Sequence, residues 1–436
     1  MNKLLPLFFL LLTAVAADAA AGGRVMAGGR DTVFVNNLLG SDSLDGRSLM
    51  PSGVGKGPVR TLQRAFDIVS VAGYVYVCNT GSPYTGSNRL HTGGVPGNPL
   101  IVEGNNAVIS GLEPVSVEEW QRVEENIYKR PFWPMSNQLK LNKDYTSWIG
   151  TPQVWWVNGQ PAANCRTAAA LRQTPGGFWW NKDEKTVWFH LRSQEQLAAL
   201  KIEMPAHRGI GTCINVYSKT SHVIVQNLHA QYAFNDGFSA HDTVTDLTFR
   251  NCIATDNCGQ GFSMHGHTVV SVEDGVAMRN ASSGACDVGA ANVTYRRCVF
   301  GDNSFEAGIY ATEHADTRYI DCLVINNQPF EQIWQYDSST MFLKNCIVTA
   351  TDNRCPLAVV EKGSVRFVSC TLSKGADLVT VRDTVGRLLT ENVVYNDHML
   401  PSSSDRSKPT AHPGSNLAVG AHLPASVWNS YKHFAR

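Results

Sequence analysis

Three acidic residues recur at a constant spacing in the C-terminal half of the chain. Glu313, Asp337 and Glu361 are each separated by 24 residues. If the chain returns to the same place in every repeat, these carboxylates form one column. Two carboxylates ~5–5.5 Å apart can act as nucleophile and general acid on a glycosidic bond, and a wider gap leaves room for an attacking water. Because like charges at such distances raise one pKa, one group stays protonated as the acid. The column therefore permits glycosidic hydrolysis, with Glu313 and Asp337 as the predicted pair.

Other polar and aromatic residues fall in the same frame. The segments "DGFSAHD", "QGFSMHG", "SGACDVG", "AGIYATE" and "EQIWQYD" align on glycines 237, 261, 284 and 308. Because side chains alternate across a strand, this alignment predicts an inward column and two outward columns. The residues predicted to bind substrate are Tyr310, Trp334, Tyr336, Asp236 and Glu306. The residues predicted to orient substrate or assist proton transfer are His241, His265 and Asp242.

These residues also have structural interpretations. A column of Asp and Glu at a turn can simply be solvated, or it can bind a structural or catalytic Ca²⁺. His241 and His265 can hydrogen-bond turn backbone and do nothing else. The "HGH" at 265–267 lacks further ligands at the spacing of a zinc site. We therefore expect no metal among the catalytic residues and no required cofactor, with Ca²⁺ left open.

A repeat of about 24 residues must position this chemistry. One position of the repeat is occupied in turn by Leu228, Cys252, Gly275, Cys298, Cys322, Cys346, Cys370 and Asn392. The successive distances between these residues in the sequence are 24, 23, 23, 24, 24, 24 and 22. An apolar or aromatic residue stands three positions earlier: Val225, Phe249, Val272, Tyr295, Tyr319, Leu343, Phe367 and Leu389. Segments such as "HVIVQNLHA" are short, β-branched and alternating, which predicts strands rather than helices. A fixed period in the low twenties is typical of a solenoid.

The recurring cysteines and asparagines predict two internal columns. Stacked parallel strands lie ~4.7–4.9 Å apart with their Cβ atoms pointing the same way, which is poor disulfide geometry. We therefore predict free thiols in the cysteine column, although Cys165–Cys213 is a candidate pair away from it. An Asn stands five residues after each of four positions of the cysteine column, at 257, 280, 303 and 327. These asparagines are predicted to take left-handed backbone and to stack their amides.

At this point the sequence resembles the right-handed parallel β-helix proteins, which include pectate lyases and several β-helical glycoside hydrolases. The resemblance extends to "GSDSLDGRS", "GPVRTLQRAF" and "YVYVCNTGSPY" near the N-terminus, where such proteins have a helix that caps the open end of the solenoid. It implies an all-β, right-handed, single-stranded parallel β-helix with an N-terminal capping helix. The cap and first coils would occupy 30–111, the remaining coils 207–398, and a linker or cap 399–436.

Eight of the ten tryptophans fall within residues 120–188. The turn sequences "VNGQ" and "NKDEKT" between aromatic-rich strands predict an inserted antiparallel β module over 112–206. Modules placed this way occur in glycosidases resembling β-xylosidases, where they flank the cleft. The tryptophans build the module core or line a sugar-binding edge. One member of each adjacent pair, Trp155–Trp156 and Trp179–Trp180, must face away from the core.

Bulk properties limit the setting and the partners. Residues 1–20 have the pattern of a secretory signal peptide, so we expect a secreted or periplasmic protein. No later stretch is apolar enough to span a membrane. Thirty-seven basic and thirty-seven acidic residues leave no net charge, which argues against nucleic acid. We expect a monomer that binds a polysaccharide or oligosaccharide.

Three functions remain in competition. A glycoside hydrolase is favoured by the carboxylate column. A polysaccharide lyase, which removes a proton beside a uronate carboxylate with Ca²⁺ or another cation as neutraliser, is the first alternative. The aligned outward columns contain no Lys or Arg, which lowers that alternative. A non-catalytic glycan-binding solenoid is the second, but the clustered His and carboxylates on the middle coils favour an enzyme.

Overall fold

The computed structural model describes residues 29–131, 155–181, 183–205, 211–304, 307–327, 331–350, 355–375, 377–382, 385–400 and 423–434. The predicted signal peptide lies outside them. Twenty-eight strands form one hydrogen-bonded parallel network, which winds into a β-solenoid of about 12 turns. The predicted parallel β-helix is confirmed. Three faces of the coil are called sheets 1, 2 and 3 below.

Sheet 1 carries the predicted site. Its strands are Asn88–Leu90, Ile214–Tyr217, Phe238–His241, the first part of Phe262–Glu273, Ala285–Gly289, Ile309–Ala311, Ile333–Gln335, Ala358–Val360 and Val379–Val381. Each strand pairs in parallel with the next coil.

Sheets 2 and 3 complete each coil. Sheet 2 contains Thr32–Val35, Tyr74–Val77, the first part of Leu100–Ser110, the first part of Thr220–Gln231, Thr243–Arg250, the second part of Phe262–Glu273, Asn292–Arg296, Asp316–Ile320, Thr340–Lys344, Ser364–Val368 and Arg387–Glu391. Sheet 3 contains Tyr84–Thr85, the ends of Leu100–Ser110 and Thr220–Gln231, Ile253–Thr255, Val276–Met278, Val299–Gly301, Leu323–Ile325, Ile347–Thr349, Thr371–Ser373 and Val394–Tyr395. The last of these pairs antiparallel with His398–Met399.

The alternating apolar residues form the core because each strand buries one face and exposes the other. The predicted inward column of sheet 1 is present, with Phe238 and Phe262 paired and stacked at 5.5 Å between ring centroids. In sheet 2, Tyr295 and Tyr319 stack at 4.8 Å with nearly parallel rings. Both are fully buried. Side chains of one type in register therefore pack on one another from coil to coil.

The cysteine column is confirmed. Cys252, Cys298, Cys322, Cys346 and Cys370 are all 0% exposed, and no disulfide joins any two of them. Cys165 and Cys213 are likewise unpaired. Burial raises the pKa of Cys252 to about 12. The column therefore consists of buried thiols that fill space in the core.

The asparagine column forms a hydrogen-bonded ladder inside the turns. Asn257 donates to Asn280 at 2.8 Å, Asn280 to Asn303 at 2.9 Å, and Asn303 to Asn327 at 2.8 Å. Asn327 then donates to Gln332 Oε1 at 2.9 Å, which ends the ladder. The predicted backbone was wrong by one residue. The left-handed residue is the one before each Asn, at Asp256, Arg279, Asp302 and Asn326.

The predicted last residue of the cysteine column was also wrong by one position. Thr371 pairs with Val394, so Val393 rather than Asn392 follows Cys370 in the column. Phe367 pairs with Thr390 rather than Leu389. Val393 is fully buried, whereas Asn392 takes the left-handed turn position just before it. The positive φ at this turn position favours Asn, and Asn392 was mistaken for the residue that continues the cysteine column.

A short helix, Leu62–Ile68, covers the N-terminal end of the solenoid. Thr61 caps it by accepting a hydrogen bond from the Arg64 backbone N–H. Its buried residues Leu62, Ala65 and Phe66 join the main core. The helix therefore covers coil edges that would otherwise pair with another chain.

The region between Leu100–Ser110 and Ile214–Tyr217 forms two further sheets. One contains Leu112–Pro114, Trp156–Val157, Gln160–Pro161 and Ile202–Pro205. The other contains Gln121–Glu124, Ile127–Pro131, Ala163–Cys165, Gly177–Asn181 and Thr186–His190. The first sheet is antiparallel, and the second is antiparallel except where Ala163–Cys165 pairs with Gly177–Asn181. The helix Ala168–Arg172 and the 3-10 turns Val117–Glu119 and Leu197–Ala199 connect them.

The tryptophans of this module divide as the alternation predicts. Trp155 is buried and stacks on Phe178 at 4.6 Å, whereas Trp156 packs against Tyr232 of the β-helix at 4.6 Å. Trp180 packs against the module core, and Trp179 lies beside Trp188 in a second cluster. Trp156 therefore anchors the module to the solenoid.

The C-terminal helix, Ala425–Phe434, lies on sheet 3 of the middle coils. Its Val427 packs against Met278, Val299 and Leu323. Tyr431 accepts a hydrogen bond from Asn326 at 2.8 Å, and the Phe434 carbonyl accepts one from Arg279. The helix thus covers an apolar stripe on the side of the solenoid. None of the described helices is long and apolar enough to cross a membrane.

Candidate active site

Three aromatic rings meet on the outward face of sheet 1. Tyr310 and Trp334 occupy the same position of neighbouring coils, with ring centroids 5.5 Å apart. Tyr336 lies two residues further, 6.3 Å from Trp334, and is 39% exposed. The alternation of Ile309–Ala311 and Ile333–Gln335 turns all three outward. Tyr310, Trp334 and Tyr336 are called the aromatic platform below.

A turn at the end of sheet 1 carries the predicted carboxylate pair. Ala311 pairs with Gln335, so Glu313 and Asp337 occupy equivalent positions of adjacent coils. Both have left-handed backbone, with φ of 58° and 54°. Asp337 forms an ion pair with Lys362 of the next coil at 3.2 Å, and Glu313 is exposed. Left-handed φ suits Asp better than Glu, so the turn alone does not account for Glu313.

The third predicted member of the column, Glu361, is displaced. Gln335 pairs with Val360, 25 residues later, so this coil has one residue more than the period predicts. Glu361 therefore aligns with Tyr336, and Lys362 stands beside Asp337 instead. A one-residue shift reverses which face a side chain occupies.

A charged cluster that the sequence did not reveal lies against the platform. Arg382 follows Val381 and aligns with Glu361. Its guanidinium lies 5.6 Å from the centroid of the Trp334 ring and 3.6 Å from Glu331, and it contacts Glu361 at 3.5 Å. The side chains of Glu331 and Glu361 are only 11% and 17% exposed. The aligned outward columns, which reach only to Tyr336, contain no Lys or Arg, but the same face carries Arg382 two coils further on.

The two predicted histidines form a separate cluster. His241 and His265 stack with ring centroids 4.6 Å apart. A ring nitrogen of His265 lies 2.8 Å from Ser263 Oγ, and one of His241 lies 3.1 Å from Asn215 Oδ1. Burial lowers the pKa of His241 to about 4 and that of His265 to about 3. Both rings are therefore neutral near neutral pH.

This histidine pair is distant from the carboxylate pair. His265 pairs with Val288, and one further coil leads to Thr312 and Glu313. At ~4.8 Å per coil, His265 and Glu313 are ~10 Å apart along the solenoid. Asp242 is exposed beside His241, in the same turn column as Glu313. A role for these three residues in orienting substrate stays a prediction for the neighbouring subsite.

The remaining predicted site residues differ in accessibility. Asp236 is 1% exposed, and its carboxylate accepts hydrogen bonds from the Gln260 backbone N–H at 3.0 Å and from Asn235 at 3.1 Å. In the structure this carboxylate supports the turn. Its role in binding stays a prediction. Glu306 lies outside the described residues.

A buried acid lies directly beneath the outward face. Asp287 points into the solenoid, at the position equivalent to Ala311 on the next coil, and is fully buried. The Tyr295 hydroxyl donates to it at 3.0 Å. Burial raises the pKa of Asp287 to about 8, although the hydrogen bond from the Tyr295 hydroxyl lowers it. The alternation of "ACDVG" already places Asp287 inward.

Within the described residues, no group of three or more His, Cys, Asp and Glu is arranged to hold a metal ion. Ca²⁺ stays a candidate that a chelator experiment tests.

Comparisons with known proteins agree on the fold. No family model and no curated relative matches the sequence. A structure described as XylC with xylose is similar at a TM-score of 0.52 and 13% identity, over 84% of this chain and 76% of that one. A structure described as a glycoside hydrolase is similar at a TM-score of 0.51 and 11% identity, over 84% of this chain and 96% of that one. The crystal structure of pectate lyase Pel9A has a TM-score of 0.45 and 10% identity, over 84% of this chain and 78% of that one. The two similarities with TM-scores above 0.5 support the parallel β-helix fold described above.

Proposed function

We propose that the protein is an exported carbohydrate-active enzyme, a glycoside hydrolase that acts on a polysaccharide or its oligosaccharides. The observation that carries the proposal is the aromatic platform next to the Glu313–Asp337 turn. Aromatic faces stack on the apolar faces of sugar rings, and adjacent carboxylates supply the acid and the nucleophile or base. The fold supports this proposal by analogy, since two similar structures with TM-scores above 0.5 are a xylose complex and a glycoside hydrolase.

The two carboxylates have different surroundings, which suggests their roles. Lys362 forms an ion pair with Asp337 at 3.2 Å. Asp337 is therefore the proposed nucleophile or base. Glu313 is exposed in the equivalent turn of the preceding coil and is the proposed proton donor. A one-coil separation of ~4.8 Å corresponds to the spacing of retaining rather than inverting enzymes.

The experiment is a product assay on neutral and acidic polysaccharides, with and without a chelator. Reducing ends and the absorbance of unsaturated uronate distinguish hydrolysis from elimination. Glu313→Gln and Asp337→Asn should each abolish product. Asp274→Asn is a matched control, because Asp274 also has left-handed backbone and pairs with a cation of the next coil, Arg297, at 2.7 Å. Glu273→Gln, on sheet 2, is the control for the Glu313 change. Full activity of both site variants would overturn the assigned pair.

A polysaccharide lyase is the second candidate, because Arg382 and Lys362 place two cations on this face. Unsaturated product in the same assay, lost with the chelator or in Arg382→Gln, would establish elimination instead. Sugar binding without any product would indicate a glycan-binding solenoid.

A further inference from the structure

The cations beside the aromatic platform are both held by carboxylates. In the described part of the coils from 307 to 382, the platform face carries two cationic side chains, Arg382 and Lys362. Arg382 pairs with Glu331 and Glu361, and Lys362 pairs with Asp337. A sugar carboxylate that reached the platform would have to displace a protein carboxylate from its cation.

Arg382 is more exposed to solvent than the two glutamates with which it pairs. The Arg382 side chain is 48% exposed, whereas Glu331 and Glu361 are 11% and 17% exposed. Charges removed from water that far need a partner, so the two glutamates hold the guanidinium in place over Trp334. The arginine thus presents a flat surface to a sugar ring while its charge is already matched.

The net charge of this face is negative. Four described carboxylates, Glu313, Glu331, Asp337 and Glu361, lie beside the platform with the two cations, which leaves a net charge of −2. A uronate would meet repulsion that a neutral sugar does not meet.

We propose that Glu331 and Glu361 are specificity-determining residues: by binding Arg382 they make the platform accept neutral sugars and reject uronates. This inference rests on the proposed function and names its substrate class. Replacing both glutamates with glutamine releases Arg382 and brings the net charge of the described groups on this face from −2 to 0, so the platform should then accept a sugar carboxylate in their place.

The experiment compares sugars that differ only in charge. Two matched pairs serve as probes: a glucuronate-branched xylo-oligosaccharide with its methyl ester, and an oligogalacturonate with its methyl ester. Calorimetry gives the affinity ratio of the neutral and the acidic member. For the wild type we expect the neutral member to bind about tenfold tighter or more, equivalent to ~1.4 kcal/mol. Added NaCl should reduce this ratio, because salt screens charge repulsion and leaves packing unchanged.

The variant Glu331→Gln/Glu361→Gln should lower the ratio by about tenfold or more, through tighter binding of the acidic member. The matched control Glu273→Gln/Glu391→Gln makes the same charge change on sheet 2, where these residues pair with Arg250 and Arg366. It should keep the wild-type ratio. A thermal melt verifies that both double variants are folded.

The outcomes separate the two proposals. Equal binding of neutral and acidic members by the wild type, or an unchanged ratio in the Glu331/Glu361 variant, overturns this inference and leaves the hydrolase intact. Binding of none of the four sugars, with no product in the polysaccharide assay, overturns the proposed function and this inference together.

Discussion

Asp287 accepts a hydrogen bond from the Tyr295 hydroxyl at 3.0 Å in the interior of the β-helix, where neither side chain reaches solvent. Tyr295 in turn stacks on Tyr319 of the next coil. Burial raises the pKa of Asp287 to about 8, so the acid is largely protonated at neutral pH. The core beneath the aromatic platform therefore contains an acid whose ionisation the fold opposes.

This acid makes stability depend on pH. The unfolded carboxyl ionises near 3.8 and the folded one near 8, so the unfolded state gains stability from ionisation as pH rises between these values. Asp287→Asn removes that effect and keeps an acceptor for Tyr295. We expect the variant to be more stable than the wild type at pH 8, by on the order of 5 kcal/mol, and about equal at pH 4. Urea unfolding across this pH range measures it.

Asp274→Asn is the control for the Asp287 experiment, because Asp274 lies in a surface ion pair. It should lack this pH-dependent gain. An Asp287→Asn variant that is destabilised equally at pH 4 and pH 8 would contradict the assigned ionisation.

The amide ladder should be sensitive to any break. Asn303 accepts from Asn280 and donates to Asn327, and it is 2% exposed. Asn303→Ala leaves a buried amide and a backbone N–H of Asn280 without their acceptor. We expect a loss of about 2–4 kcal/mol in the free energy of unfolding. Asn292→Ala, on the outer face of sheet 2, should lose under about 0.5 kcal/mol. Similar losses for both would show that the ladder adds nothing special.

The thiols of the cysteine column should not react with thiol reagents while the protein is folded. The cysteine column is fully buried, so a reagent in solution cannot reach its thiols, and burial raises the pKa of Cys252 to about 12. A thiol reagent should modify at most the half-buried Cys355 before unfolding and all eleven cysteines in denaturant. Fewer than eleven reactive thiols in denaturant would reveal disulfides. Rapid labelling of Cys322 in native protein would contradict its burial.

Trp334 should contribute to sugar binding through its ring face. Trp334→Ala is expected to weaken binding of the best neutral oligosaccharide by about five- to tenfold, and Trp334→Phe by less, since stacked aromatic contacts contribute ~0.5–1.5 kcal/mol. Phe342→Ala is the matched control, because Phe342 on sheet 2 also lies under an arginine, Arg366, at 5.9 Å. Equal losses in Trp334→Ala and Phe342→Ala would remove the platform from the site.

The repeat explains why most of the fold could be predicted from the sequence. The cysteine and asparagine columns recur at nearly constant spacing because equivalent positions of successive coils need the same size and polarity. The period fails where one coil gains a residue, between Gln335 and Val360. At the last coil the step is an ordinary one, but Val393 stands in place of the cysteine, so no recurring residue type marked the position.

The site was predictable only in part. Alternation placed Tyr310, Trp334 and Tyr336 on one face, because it depends only on local strand geometry. Arg382 was missed because its coil carries none of the anchoring residues, and Glu331 because it precedes its strand. The burial of Asp236 depends on neighbouring turns, which a single repeat does not reveal.

The end of the amide ladder at Gln332 divides the solenoid mechanically. Up to Gln332, the described coils from Asn257 onward are joined by side-chain amides as well as by strand pairing. The next strand, Ile333–Gln335, carries Trp334, and the described coils beyond it are joined by strand pairing, apolar packing and more exposed side-chain contacts such as Asp337–Lys362 and Arg366–Glu391. Under tension along its axis, the molecule should therefore peel from its C-terminal end toward this boundary, separating Tyr310 from Trp334 and opening the sugar-binding face before the rest of the solenoid yields.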